Sequence, residues 1–162
     1  MSPFLFVLMQ FAIVAYALLG GVFLAFSDFI VRSLSLTRGA GGVEATQIIN
    51  REVFRWVFMT LFLGMAVVSV LIAGVSATGL EGPARLLIPS AALAYLAVCF
   101  GVTVLLNVPI NEALARMQPE SEAARVYWTG IYIPRWTFWN SVRTVACISS
   151  AALALFRLLS VA

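Results

Sequence analysis

Apolar residues run almost unbroken through four stretches of this chain, and polar residues collect in the joints between them. The runs cover approximately residues 4–30, 56–80, 86–106 and 136–159. Each reaches the length of about 20 residues needed to cross a hydrocarbon core about 30 Å thick. No open strand can satisfy its backbone in lipid, so all four are read as helices. The second is expected to begin early, because 43–77 contains no proline and only Gly64 and Gly74 as weak helix formers. At 1.5 Å per residue such a helix would be roughly 50 Å long and would project from the membrane. Gly39, Gly41 and Gly42 mark the break before it.

The joints differ in length. Glu81-Gly82-Pro83 is a tight turn that makes spans two and three antiparallel neighbours. Between Glu112 and Arg135, acidic Glu120 and Glu122 follow Pro119, which suits the start of a short surface helix. Pro134 is then expected to reset the chain before the last span. The expected fold is all-α: one transmembrane domain over residues 1–162, a four-helix bundle with one long projecting helix and one short surface helix.

Composition narrows the chemistry. The chain is 62% hydrophobic and only 10% charged, with a mean hydropathy of +1.02, which excludes a water-soluble domain. The first run lacks a basic n-region and exceeds a signal-peptide core, so it is read as an uncleaved span. All ten cationic side chains are arginine, scattered between apolar runs, and no stripe or motif for nucleic acid exists. With no histidine, imidazole-ligated metals and imidazole-assisted nucleophiles are excluded. Cys99 and Cys147 lie singly in apolar runs and read as reduced packing residues at similar depth. No metal site is expected.

Arginines set the expected orientation. Arg32, Arg38, Arg51 and Arg55 flank the first joint and Arg116, Arg125 and Arg135 the third, against Arg85 and Arg157 on the other side. By the positive-inside rule joints one and three are expected to be cytoplasmic and both termini outside, in a multi-pass protein expected in the cell's inner membrane.

Topology brings the strong polar groups to one level. Asp28 ends span one, Asn50 and Glu52 open span two, Asn107 and Asn111 close span three, and Trp136, Asn140 and Arg143 open span four. The two asparagines of span three are four residues apart and face one way, while Trp136, Asn140 and Arg143 share one stripe. Carboxamides and a guanidinium converging there suit a planar, oxygen-bearing ligand or a developing oxyanion. The competing account is interfacial anchoring, since helix ends near headgroups carry Arg and Trp in any case.

The ordered set resembles a known family. It consists of Gly21-Val22-Phe23 with Phe26-Ser27, Gln47-x-x-Asn50-Arg51, Asn107-x-Pro109-x-Asn111, and Arg135-Trp136-x-x-Trp139-Asn140-x-x-Arg143-Thr144. In these it is similar to the anthrone oxygenase-like family of small four-helix membrane proteins. The resemblance implies oxidation of an anthrone to an anthraquinone with no cofactor, neither metal nor flavin. On it, Asp28, Glu52 and Arg143 are the expected catalytic residues, a carboxylate taking the proton while the guanidinium holds the anion. Asn50, Asn107, Asn111, Trp136 and Asn140 are the expected substrate-binding residues. Expected partners are membrane lipids, an aromatic small molecule and further copies of the chain. The alternative is a non-enzymatic membrane subunit or a lipid- or small-molecule-binding protein.

Overall fold

The computed structural model of the chain describes residues 3–79 and 84–160. Every regular element among them is helical: α1 (Pro3–Ser35), α2 (Gly41–Glu52), α3 (Trp56–Gly79), α4 (Leu86–Ala115) and α5 (Glu122–Leu159). Four of the five, α1, α3, α4 and α5, are long and apolar enough to cross a membrane. The expected turn at 81–83 lies outside the described residues.

The four-helix transmembrane bundle is as expected, but its long and short helices are other ones. A continuous helix over 43–77 does not form. The chain breaks at Val53–Arg55, and Trp56 re-enters helix with φ +40°, a left-handed value costly for a bulky side chain. The long helix is instead α5, 38 residues from Glu122 to Leu159. The surface helix expected after Pro119 is its first turns, capped by the Ser121 hydroxyl, which accepts from the Ala124 amide at 3.1 Å. Pro134 does not reset the chain. It sits inside a π-helical stretch, Trp128–Trp136, whose wider winding accommodates a residue that cannot donate to the α ladder. The short helix is α2.

Similar stretches occupy Phe26–Ile30 in α1 and both Ala94–Phe100 and Thr103–Asn107 in α4. They have a geometric result. In an α-helix every fourth residue advances by about 40°, so a stripe at that spacing would wind off a straight neighbour within three steps. In α4 the wider winding pulls it back. Cys99, Thr103, Asn107 and Asn111 all stay against α5, meeting Cys147, Arg143, Trp136 and Tyr132 in turn.

Two packed regions hold the helices together. The main core runs through the bundle from Leu5 and Met9 to Phe23, Tyr95 and Cys147. Its buried hydroxyls are all used: Ser69 donates to the Met65 carbonyl at 2.6 Å, leaving its oxygen to accept from Tyr16 at 2.6 Å, and Tyr95 donates to the Phe62 carbonyl at 2.7 Å. A second cluster of Val31, Val43, Leu114, Ala124 and Trp128 packs α2 across one end of the bundle. Gln47 fixes α2 there by donating to the Leu114 and Met117 carbonyls at 2.8 and 2.9 Å, at the end of α4. Gly42 permits the close approach, because a Cβ there would lie 2.5 Å from the Leu34 carbonyl oxygen.

Candidate functional site

Beneath α2 the bundle encloses a cavity of about 230 Å³, floored by Phe62 and Phe100 and roofed by Asn50, Val53 and Phe54. Its volume lies below the range of about 300–1,000 Å³ usual for small-molecule sites, so a ligand must be small or extend through its mouth. Val22, Phe54, Leu63 and Val104 line it and are also exposed on the outside of the helices, so it opens sideways.

Arg143 is the cavity's charged group, and it is only 6% exposed. One guanidinium nitrogen donates to the Asn140 amide oxygen at 2.5 Å and the other to the Thr103 hydroxyl at 3.2 Å. The guanidinium carbon lies 4.3 Å from the Phe23 ring centroid and 5.5 Å from that of Trp136, so two aromatic faces flank the cation. No carboxylate among the described residues pairs with it. The ion pairs among the described residues are Glu52–Arg55, Glu112–Arg116 and Glu122–Arg125, all exposed and at the arginine-rich end. Arginine stays protonated in proteins, and its Nε here has no hydrogen-bond partner. A buried cation without a counter-ion costs several kcal/mol unless something compensates it.

Asn140 positions this group. It is fully buried, and its amide nitrogen donates to the Phe23 carbonyl and the Ser27 hydroxyl, both at 2.6 Å, tying α5 to α1 where α1 changes winding. Its oxygen is thereby fixed beneath the guanidinium.

Asn111 and Asn50 meet through a residue that the sequence did not single out. The Tyr132 hydroxyl donates to Asn111 Oδ1 at 2.9 Å and accepts from Asn50 Nδ2 at 3.3 Å. Both asparagines line the cavity. Trp136 lines it too, with Tyr132 stacked on its ring at 6.0 Å.

Three expected residues lie elsewhere. Asn107 is buried behind the cavity wall, where its amide nitrogen donates to the Trp136 carbonyl at 3.3 Å. This bond takes up a carbonyl where the winding of α5 changes, so the residue braces two helices. Asp28 is exposed on the outer side of α1, and Glu52 is exposed and paired with Arg55 at 3.0 Å. The turn after Glu52 rotates it away from the cavity, so neither carboxylate is in place to take a proton from a bound ligand. Thr103 and Tyr132 were the missed partners. The signal for each was present, since Thr103 stands four residues before Asn107 and Tyr132 four before Trp136, extending stripes already recognised.

Fold and site together define a transmembrane four-helix bundle with an aromatic-walled, cation-bearing cavity at its arginine-rich end. The family model described as anthrone oxygenase matches residues 51–153, and the chain belongs to that family. The matched stretch contains Thr103, Asn107, Asn111, Tyr132, Trp136, Asn140 and Arg143, while Asn50 and Asp28 precede it. No curated protein and no solved structure matches the chain.

Proposed function

We propose that the cavity binds an aromatic ligand through an anionic oxygen held by Arg143, and that the chain acts as a cofactor-independent oxygenase on an anthrone-like aromatic. The observation that carries this reading is the buried guanidinium with no counter-ion among the described residues, placed between aromatic rings in the wall of a cavity. An anthrone supplies what that cation lacks. Loss of a proton from its methylene carbon gives a flat anion with charge on the carbonyl oxygen, which the guanidinium stabilises where the charge develops. Dioxygen then adds to the carbanionic carbon, and the resulting hydroperoxide loses water to leave the second carbonyl. One anthrone and one dioxygen give one anthraquinone and one water.

With no carboxylate lining the cavity among the described residues, the proton passes to water at the mouth, and lowering the ligand's own pKa becomes the main task of Arg143. The same absence favours a second reading, in which the protein binds such a molecule, or a lipid, without turning it over. One experiment separates the two. Purified protein in detergent is given an anthrone under air, and anthraquinone formation is compared with an empty-micelle blank and with Arg143→Gln. Acceleration above the blank that Arg143→Gln removes supports the oxygenase. Binding with no acceleration supports the carrier, and neither binding nor acceleration ends both readings.

A further inference from the structure

Arg143 is one pole of the cavity, and the two asparagines joined by the Tyr132 hydroxyl are another. Tyr132 uses its hydroxyl to hold Asn111 by its oxygen and Asn50 by its nitrogen. Each amide therefore has its other end left over. Asn50 Oδ1 is an acceptor and Asn111 Nδ2 a donor, neither with a hydrogen-bond partner among the described residues, and both side chains line the cavity without being fully buried. Had either been sealed in the core, it would be a destabilising unpaired polar group.

We infer that Asn50 and Asn111 form a second oxygen subsite, which recognises a neutral hydroxyl on the part of the ligand remote from the oxyanion. The inference rests on the reading of Arg143 given above and extends it to specificity. A hydroxyl both donates and accepts, so one such group satisfies Asn50 Oδ1 and Asn111 Nδ2 together. An anionic oxygen is disfavoured because it would face the Asn50 carbonyl oxygen. A ring carbonyl would use the Asn111 donor and leave the Asn50 acceptor empty.

Placement supports one ligand bridging both poles. Tyr132 and Arg143 both face α4 from α5. Trp136 lies between them, its ring stacked with Tyr132 at 6.0 Å and 5.5 Å from the Arg143 guanidinium carbon. Asn50, Asn111 and Arg143 all line the one cavity, so a single fused-ring ligand with an oxygen at either end can meet both poles. Specificity of this kind is stronger than apolar fit, because a ligand lacking the hydroxyl leaves two oriented amide groups without partners.

The test is a binding comparison that needs no turnover. Two hydroxyanthraquinones, one with a single hydroxyl and one with a second hydroxyl on the opposite ring, are titrated against the purified full chain by tryptophan fluorescence. The second hydroxyl is expected to lower Kd about tenfold in the unmodified protein. Asn111→Leu and Tyr132→Phe are each expected to reduce that gain to less than about twofold, and Tyr132→Phe carries the test if Asn111→Leu does not fold. Arg143→Gln should weaken both probes by the same factor and keep the gain. A second hydroxyl without effect in the unmodified protein, or a gain that survives both variants, overturns the subsite while leaving the oxyanion reading standing. Probes that bind equally well to Arg143→Gln overturn that reading and this one with it.

Discussion

The sulfur of Cys147 lies 3.4 Å from that of Cys99, joining α4 and α5 one turn deeper than the Arg143–Thr103 contact. Both cysteines are free and fully buried. Spaced 48 residues apart in sequence, they read as reduced packing residues at similar depth, and the structure brings them into contact. Proximity predicts that a membrane-permeant oxidant will join them within one chain. Intact mass should fall by two hydrogens and recover with reductant, and two thiols still open to alkylation after oxidation would count against the geometry. Replacing both by Ala should cost only about 1 kcal/mol of stability, since each leaves a small void.

Arg143 gives the sharpest prediction about the site. Arg143→Ala leaves the Asn140 oxygen without its donor, at a cost of about 1–3 kcal/mol, offset by removal of a buried charge. Arg143→Lys keeps the charge but cannot reach Asn140 and Thr103 from one planar fork. Ligand binding should therefore fall further than thermal stability in both variants, as titration and unfolding in the same detergent can show. Equal losses in the two would mark the residue as a packing element.

Gly42 and Gly64 make a matched pair for testing the roof. A Cβ on Gly42 would sit 2.5 Å from the Leu34 carbonyl oxygen, whereas one on Gly64 would meet nothing within 4 Å. Gly42→Ala should lower stability by roughly 1–3 kcal/mol by lifting α2, and Gly64→Ala should leave it within about 0.5 kcal/mol. Unfolding midpoints in detergent decide the point.

The arginine bias predicts opposite accessibility for the two ends of α5. Ser121→Cys should react with an impermeant maleimide only once the membrane is opened, and Ser160→Cys in intact cells. The reverse pattern would invert the orientation without altering the bundle.

The spans, the polar end and the stripe of Trp136, Asn140 and Arg143 were legible because lipid imposes length and helicity, and helical spacing then fixes faces. Changes of winding were not. The rule that proline ends a helix predicted a reset at Pro134, where nine residues of π winding absorb it instead. The same blindness hid Tyr132, which belonged to the last helix and not to the joint before it. Residues 43–77 hold no breaker, yet tertiary packing bends the chain at Val53–Arg55, where Gln47 and the cluster around Leu114 hold α2 across the bundle. Nothing local marks that. Asp28 and Glu52 stood at the right depth, but depth does not say which way a carboxylate points.

The sideways opening of the cavity, past Val22, Leu63 and Val104, changes what concentration means for this protein. The flat aromatic ligand proposed above dissolves in hydrocarbon far better than in water, so its reservoir would be the bilayer itself. Occupancy then follows the mole fraction of ligand among lipids, and the aqueous concentration matters only through partitioning. Diluting the protein into more lipid at fixed total ligand should empty the cavity, and adding water should not.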